Sequence, residues 1–307
     1  MALWENYYLA RDISDALQAL AAVKGEARLI AGGTDLLLEM QHGRHTPVDT
    51  LVDVSSIPEM RRLEIQPGSS NADERDQQGS SLFIGAALPL NQVVGSALVF
   101  EHAQALHEAA SLIGGPQVRN TATLGGNVAH ALPAADGMIA LLSLDAQAEV
   151  ADIQGRQRVP LIKLFLGPGR SALDPRRQLL VGFHLPLRKP GQASAFRRVM
   201  RPQGVAIAIL NLSVWLQRQG DLIEEARLAL GPAGPTPQRA LSTEEALHNQ
   251  RLNDLTLDKA AKALLEETHF RTSPHRATSE YRRHVAVGLL EEVLAKAWER
   301  AWEEFVN

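Results

Sequence analysis

The spacing of hydrophobic residues changes along the chain between a helical period and the alternation typical of strands. Near the N-terminus this pattern predicts a strand at 7–9, a helix at 14–23, a strand at 27–31, a short helix at 36–43 and a strand at 50–54. The first helix is indicated by a single apolar face formed by Ala16, Leu17, Leu20 and Val23. Together these elements predict a small subdomain that ends near residue 58.

The next part of the chain mixes strands and helices. Strands are predicted at 61–66, 82–87, 148–153, 157–161 and 178–185, and helices at 88–96, 97–114 and 134–144. The connector at 67–81 is rich in Gly, Ser, Asp and Gln and has almost no apolar residues. We therefore expect it to be an exposed, mobile loop.

From residue 193 onward the strand-like segments become longer. They lie at 193–200, 205–217 and 221–231, with the alternation typical of an antiparallel sheet, and helices are predicted at 243–250, 257–268 and from Ser279 to Phe305. The change predicts a first domain at 1–190, with subdomains at about 1–58 and 59–190, and a smaller domain at 191–307. The predicted fold class is α+β.

Composition excludes several kinds of site. The 307 residues contain no Cys, so the chain has no disulfide, no thiolate-ligated cluster and no Cys nucleophile. A net charge of −4 gives no electrostatic basis for nucleic-acid binding. We see no secretory signal and no membrane span, and we expect a cytoplasmic protein. The ten histidines form no metal motif, so no metal site is predicted.

Two segments stand out because each has an apolar run followed by a pair of glycines. The first is LIAGGTDL at 29–36, and the second is TLGGNV at 123–128. Glycine permits positive φ, and consecutive amides in such a turn can bind an anion. In the first segment Thr34 adds a hydroxyl donor, and Asp35 is placed to cap a helix that begins at Leu36.

Neither segment contains a lysine or the pattern GxGxxG, so neither is a Walker loop or a Rossmann loop. Two such turns suit a diphosphate held by amides and hydroxyls. The alternative interpretation is that both are ordinary glycine turns between packed elements.

The flanks of the second segment extend the pattern. They read IGGPQVRNTATLGGNVAHALPAAD from Ile113 to Asp136. This block and AGGTD resemble the flavin-binding segment of the molybdenum hydroxylases, which include xanthine dehydrogenase, aerobic carbon monoxide dehydrogenase and the hydroxybenzoyl-CoA reductase group. In multi-subunit members the FAD domain is a separate medium chain, and this chain looks like one. The motif SEYRRHVA at 279–286 looks like the family's C-terminal domain.

The resemblance implies a two-subdomain FAD-binding fold of the PCMH/VAO type, followed by a C-terminal domain of the carbon monoxide dehydrogenase flavoprotein type. It also implies the residues that bind FAD. Around the pyrophosphate it places Ile30, Ala31, Gly32, Gly33, Thr34, Asp35 and Leu36, with Thr123, Gly125, Gly126 and Asn127 as the opposite wall. No catalytic side chain is implied.

Further FAD contacts are implied elsewhere in the chain. The resemblance places Ile113 and Gly114 against the flavin or adenine, Asp136 on the ribose or adenine side, and Leu180 on the flavin ring. A basic residue near the isoalloxazine is matched by Arg197 and Arg198. The family commonly has an Asp a few residues later, where this chain reads Gly204, Val205 and Ala206, and this departure puts the arginine assignment in doubt.

The function implied is that of an FAD-binding electron-transfer subunit. Its partners would be a large subunit with molybdopterin and a small subunit with [2Fe–2S] clusters, and its external electron acceptor would be NAD, oxygen or a quinone. Two alternatives stay open. One is a stand-alone FAD oxidoreductase, which needs acid or base groups over the flavin. The other is a flavin-free assembly or scaffold protein.

Overall fold

The computed structural model describes residues 2–68, 79–202, 207–274 and 276–302. The chain divides into two compact units that do not follow a single cut in the sequence. Unit 1 comprises Met1–Gly95, Gly114–Ala131 and Ala146–Pro186, and unit 2 comprises Ser96–Ile113, Leu132–Asp145 and Leu187–Asn307. The domain boundary at residue 190 remains a prediction.

Unit 1 begins with a small parallel sheet. Its elements are β1 (Trp4–Leu9), α1 (Ile13–Ala22), β2 (Ala27–Ile30), α2 (Leu36–Gln41) and β3 (Val48–Asp53), and the strand order is β1-β3-β2. Helix α1 begins where the Asp12 carboxylate accepts a hydrogen bond from the Asp15 amide at 2.8 Å. It buries Ala16, Leu17 and Leu20, as its apolar face predicts.

The middle of the chain holds two strands and six short helices. They are β4 (Leu63–Gln66), β5 (Ser81–Gly85), α3 (Leu90–Val94), α4 (Ala97–His102), α5 (Gln104–Leu112), α6 (Pro116–Arg119), α7 (Leu124–Ala129) and α8 (Asp136–Ser143). The single helix predicted at 97–114 is wrong. Ala103 has φ −141° and ψ 54°, which ends α4 before α5 begins. Residues 69–78 of the expected mobile loop lie outside the described residues.

The larger sheet of unit 1 is antiparallel. After α8 the chain forms β6 (Gln147–Asp152), β7 (Gly155–Pro160), β8 (Phe165–Gly167), β9 (Arg170–Ser171) and β10 (Leu179–Pro186). Strands β8 and β9 pair with each other, and the five-stranded order is β4-β5-β10-β6-β7. Residues 179–185 of β10 are all buried, as expected for the central strand.

Unit 2 is built on a second antiparallel sheet. Its elements from this point are β11 (Gln192–Val199), β12 (Leu210–Gln219), β13 (Leu222–Gly231), β14 (Gln238–Arg239), α9 (Leu241–Leu247), β15 (Gln250–Arg251), α10 (Asp254–Glu267) and α11 (Ser279–Arg300). The sheet order is β11-β12-β13-β14, and β15 also pairs with β13. Helices α8 and α11 both pack on this sheet. The α+β class is confirmed.

Two details qualify the C-terminal predictions. The first residues of the strand predicted at 205–217 lie outside the described residues, and the observed strand begins at Leu210. The last helix ends at Arg300, and residues 303–305 of its predicted range lie outside the described residues. Within the described ranges, no helix combines the length and the apolar character that crossing a membrane requires.

Candidate functional site

Loop 1, residues 31–35, connects β2 to α2 in unit 1. Gly33 has φ +67°, so it uses the left-handed conformation that glycine allows. Its carbonyl accepts a hydrogen bond from the Leu37 amide at 3.0 Å, which closes the first turn of α2. Among the described residues, no group accepts a hydrogen bond from the amides of residues 31–35. Loop 1 therefore offers five consecutive unsatisfied donors.

The polar side chains of loop 1 are also without partners in the part of the chain that the structure describes. Thr34 is half-buried, and its hydroxyl makes no hydrogen bond there. Asp35 occupies the N-cap position of α2, which begins at Leu36 as predicted. The prediction that the Asp35 side chain caps this helix is wrong, because no hydrogen bond joins its exposed carboxylate to the first-turn amides.

Segment 2, residues 120–127, has a different local structure from loop 1. Its two glycines lie inside helix α7, and neither has positive φ. Thr123 is the N-cap, and its hydroxyl oxygen accepts from the Gly126 amide at 3.0 Å. The tight glycine turn predicted here is therefore a helix N-terminus.

All amides of segment 2 except that of Thr123 donate to acceptors among the described residues. The Leu124 amide donates to the Leu88 carbonyl at 3.3 Å, and the Gly125 amide donates to the Ala86 carbonyl at 2.8 Å. The Asn127 amide donates to the Thr123 carbonyl at 3.0 Å. Segment 2 therefore leaves only the Thr123 amide without an acceptor among the described residues, and the contacts of Thr123, Gly125, Gly126 and Asn127 with FAD remain predictions.

Segment 2 instead offers side-chain groups. The Oδ1 atom of Asn127 is buried and has no hydrogen-bond partner in the structure. An unsatisfied buried polar atom costs about 1–3 kcal/mol, so native structures rarely retain one without a reason. The buried Thr123 hydroxyl accepts from an amide and keeps its own proton for donation.

Loop 1 and segment 2 approach each other closely. A Cβ atom added to Gly32 would lie 2.8 Å from the carbonyl carbon of Thr121 and 2.9 Å from the Cα of Ala122. Both distances are shorter than the contacts that real Cβ atoms make, and the obstructing atoms belong to the backbone. Glycine at position 32 is therefore needed to bring the two segments together. The sequence prediction placed them as opposing walls.

The helices that follow the two segments are also joined. Glu39 on α2 lies 3.5 Å from Nε2 of His130, which is the C-cap residue of α7. The other oxygen of Glu39 lies 3.0 Å from Nε2 of His45. The sequence did not indicate this link, because His130 is distant from Glu39 and His45 in sequence and the three form no recognisable spacing.

Two other residues predicted to contact FAD, Gly114 and Leu180, belong to unit 1. Gly114 has φ +58°, and its carbonyl accepts a hydrogen bond from Nη1 of Arg119 at 2.7 Å. Leu180 is a buried residue of β10, opposite Val150 of β6, next to an irregularity in the strand pairing. Their contacts with FAD remain predictions.

The remaining predicted residues, Ile113, Asp136, Arg197 and Arg198, belong to unit 2. Asp136 is 4% exposed, forms an ion pair with Arg198 and accepts a hydrogen bond from Asn211 at 2.7 Å. Burial raises the pKa of the Asp136 carboxyl, while the charge of Arg198 and the bond from Asn211 act in the opposite direction.

The two arginines differ in their surroundings. The side chain of Arg198 is buried and forms an ion pair with Asp136. Its Nε atom has no hydrogen-bond partner in the structure. Arg197 is more exposed and lies 3.6 Å from Glu108 and 3.7 Å from Glu292. Their role near a flavin remains a prediction, and the departure at Gly204, Val205 and Ala206 lies outside the described residues.

Comparisons with known proteins agree on one family. The model of the FAD binding domain in molybdopterin dehydrogenase matches residues 3–188, and the model of the CO dehydrogenase flavoprotein C-terminal domain matches residues 194–297. The xanthine dehydrogenase FAD-binding subunit of Escherichia coli O157:H7 is 31% identical over 95% of both chains. The carbon monoxide dehydrogenase medium chain of Hydrogenophaga pseudoflava is 27% identical over 96% of this chain and 97% of the relative.

A solved structure gives the same result. Carbon monoxide dehydrogenase from Hydrogenophaga pseudoflava, in a form that lacks the Mo-pyranopterin moiety of its cofactor, superimposes with a TM-score of 0.86 and 27% identity. The superposition covers 96% of this chain and 97% of the other.

The residues of unit 1 fit an FAD. Its pyrophosphate oxygens accept hydrogen bonds, and the five amides of loop 1 are donors without an acceptor. Its sugar hydroxyls donate, and the buried Asn127 Oδ1 is an acceptor without a donor. A dinucleotide therefore has the donors and acceptors that these two segments lack.

Proposed function

This chain belongs to the family of the FAD-binding domain in molybdopterin dehydrogenases, and from that premise we propose a specific role for it. It is the FAD-binding electron-transfer subunit of a heteromeric molybdenum hydroxylase. Electrons reach it from [2Fe–2S] clusters on a small partner subunit, after substrate is oxidised at molybdopterin on a large one. They then leave for an external acceptor such as NAD, oxygen or a quinone.

The chain is an FAD-dependent oxidoreductase subunit. The bound flavin supplies the redox chemistry, because its ring accepts and releases electrons. The chain contains no Cys, so it has no thiol that could take over this role. The residues of the chain bind and orient it. This division of labour explains why the sequence offers no catalytic acid, base or nucleophile.

The observation that best supports the FAD site is the set of five unsatisfied amides in loop 1. They would hold the pyrophosphate, with the free hydroxyl of Thr34 as a sixth donor. Amide donors of this kind are fixed by the backbone and stabilise an anion without a mobile cation. Thr123 and Asn127 would form hydrogen bonds from the opposite side.

Support for the partner subunits comes from the relatives. One is named as the FAD-binding subunit of a xanthine dehydrogenase, and another as the medium chain of a carbon monoxide dehydrogenase. Both match this chain along nearly their whole length. Because this chain aligns with nearly all of both relatives, it is suited to act as the corresponding subunit of a multi-subunit enzyme.

Purification of the chain alone and with co-expressed neighbouring genes tests this proposal. We expect flavin absorption bands from the chain alone, and stable co-purification of iron, molybdenum and two further polypeptides from the co-expression. Reduction of the complex with substrate should bleach the flavin bands. Flavin bands with no stable complex would support a stand-alone enzyme, and a colourless chain that takes up no FAD would contradict the whole proposal.

A further inference from the structure

A groove of about 610 Å³ lies along helix α11 in unit 2. Its apolar lining comes from Val199 of β11, Leu265 of α10, and Val285 and Leu289 of α11. Gly288 also lines the groove, and a Cβ added there would meet no atom of the described residues within 4 Å. Glycine is unfavourable in the middle of a helix, so an exposed glycine at this position of the 22-residue α11 calls for an explanation.

The charged residues of the groove are divided between its two ends. Arg283 and His284 line it on the N-terminal side of Gly288, and Glu292 lines it on the C-terminal side, with exposed Glu291 as its neighbour. One end of the groove therefore carries basic side chains and the other carries carboxylates, with apolar residues of α11 between them. A surface of this kind is complementary to a second surface with the same charges in the reverse order.

These charged groups are available for further contacts. His284 is exposed and has no hydrogen-bond or ion-pair partner among the described residues. Arg283 is exposed and donates from Nη1 to the Leu265 carbonyl at 2.8 Å, which leaves its Nε and Nη2 atoms for other acceptors. The Glu292 side chain is 65% exposed, and its ion-pair contact with Arg197 is 3.7 Å long. Each group can therefore bind a partner without losing a strong contact within the chain.

We propose that this face of α11 binds a second copy of this chain, with the two α11 helices antiparallel about a twofold axis at Gly288. In such a pair, residues equally distant from the axis on opposite sides face each other. His284 and Glu292 lie four residues before and after Gly288, so His284 of each copy donates to Glu292 of the other. Because glycine has no side chain, the two helix backbones approach closely where they cross.

The same arrangement matches large side chains with small ones. Tyr281 is 44% exposed and lies seven residues before Gly288, and exposed Ala295 lies seven residues after it. The ring of Tyr281 in each copy therefore packs over Ala295 of the other. A parallel pair of helices would instead set Glu292 against Glu292, and like charges repel. The charges of the groove thus favour the antiparallel pair.

Sedimentation equilibrium of the purified full-length chain, over a wide range of concentration, tests the proposal. We expect a reversible equilibrium between monomer and dimer, because a twofold contact closes at two copies. A chain that stays monomeric throughout, or that assembles without limit, would overturn the proposal. The outcome is independent of the proposed FAD site, since loop 1 and segment 2 belong to unit 1 and flavin absorption reports on them separately.

Two charge-changing variants test which residues face each other. His284→Glu sets two carboxylates opposite each other, and Glu292→Lys sets an ammonium group opposite a basic side chain. We expect each variant alone to dimerise about tenfold more weakly than the unchanged chain. An equimolar mixture, with one variant fluorescently labelled, should restore the dimer, because the two substituted positions then face each other with opposite charges. A mixture that associates no better than either variant alone would overturn the antiparallel arrangement.

Gly288→Leu tests the close approach at the axis. We expect dimerisation to weaken about tenfold, while the melting temperature of the monomer stays unchanged or rises, because leucine favours a helix more than glycine does. Undiminished dimerisation would show that the helices do not cross at Gly288.

Glu224→Lys is the matched control for Glu292→Lys. It makes the same change of charge at an exposed position of β13 in the same unit, outside the groove, and Glu224 has no hydrogen-bond or ion-pair partner among the described residues. We expect it to change the dimerisation constant less than about twofold. A loss as large as that of Glu292→Lys would assign the effect to net charge and would overturn the proposed pairing.

Discussion

Loop 1 and segment 2 share a sequence pattern but not a structure. Each has an apolar run and a glycine pair, yet loop 1 is an open turn with Gly33 at φ +67°, while segment 2 is the first turn of helix α7. In loop 1 the amides have no acceptor among the described residues, whereas in segment 2 those of Leu124, Gly125 and Asn127 donate to protein carbonyls. In loop 1, Gly33 permits a left-handed turn and Gly32 permits the close approach of segment 2, whereas Gly125 lets α7 pack against Ala86.

This difference assigns complementary chemistry to the two sides of the site. Loop 1 provides main-chain donors for an anion, whereas segment 2 provides the Asn127 side-chain oxygen, an acceptor. A symmetrical pair of anion cradles would suit two separate phosphates equally well. An asymmetric pair suits a ligand whose charged and hydroxyl-bearing parts lie on different sides, as in a dinucleotide.

Gly32→Ala should have the largest effect, because the added methyl group meets the backbone of Thr121 and Ala122 rather than a flexible side chain. Overpacking costs about 1–3 kcal/mol, and here it must displace loop 1 from segment 2. We expect FAD affinity to fall about 100-fold, which corresponds to about 2.7 kcal/mol. Titration with FAD, followed by flavin fluorescence, measures the loss.

Gly79→Ala is the matched control for this variant, since a Cβ at position 79 would meet no atom of the described residues within 4 Å. It should bind FAD as the unchanged chain does. Wild-type affinity in Gly32→Ala would show that the two segments do not need their close approach, and the opposing-wall arrangement would have to be abandoned.

Gly125→Ala and Gly126→Ala separate the packing role from the turn role inside segment 2. A Cβ at Gly125 would lie 2.5 Å from the Cβ of Ala86, whereas one at Gly126 meets only the Thr123 hydroxyl at 3.1 Å. We expect Gly125→Ala to lower the free energy of unfolding by about 1–3 kcal/mol. At Gly126 the better helix propensity of alanine, about 1 kcal/mol, offsets the contact with Thr123.

Urea unfolding of the two variants without FAD gives this comparison directly. Equal losses in both would contradict the helical structure of segment 2 and would restore the glycine turn that the sequence suggests.

Much of the fold could be predicted because its elements have strong local signals. The apolar face of α1 and the strand β13 both appear in the structure close to where they were predicted. Helix α7 was missed because two glycines and an asparagine disfavour a helix locally. Its N-cap Thr123 was the available signal, and the carbonyls of Ala86 and Leu88 stabilise the helix from a distant part of the chain.

The candidate site shows the same limit of sequence-based prediction, namely that contacts from distant parts of the chain cannot be read from local patterns. The sequence indicates that two glycine segments matter, since glycine pairs beside apolar runs are strong signals. It does not indicate which amides are free, because that depends on acceptors supplied by tertiary structure. Asp136 shows the same dependence on tertiary structure, because its buried hydrogen-bond partner Asn211 lies 75 residues away in sequence.

Asn127→Ala isolates the side-chain contribution of segment 2. It removes the buried oxygen that has no partner in the structure. If that oxygen serves the ligand, its loss should weaken FAD binding by about tenfold while the stability of the FAD-free chain stays unchanged or rises slightly. Affinity from fluorescence titration and unfolding free energy from urea denaturation should therefore change in different ways. A stability loss with unaltered FAD affinity would make Asn127 a structural residue.

Glu39→Gln should have the smallest effect, because it acts only through the link between α2 and α7. Glu39 is 23% exposed, so its interactions with His130 and His45 are partly screened by solvent. We expect the free energy of unfolding to fall by at most about 1 kcal/mol. The affinity for FAD should fall about two- to threefold. Glu5 of β1 is exposed and has no hydrogen-bond or ion-pair partner among the described residues, so Glu5→Gln provides the control variant. An electrostatic link weakens in salt, so the difference between the two variants should shrink in about 1 M sodium chloride. A difference that persists in salt would assign the effect to the hydrogen bond between Glu39 and His45, at 3.0 Å, rather than to screened charge.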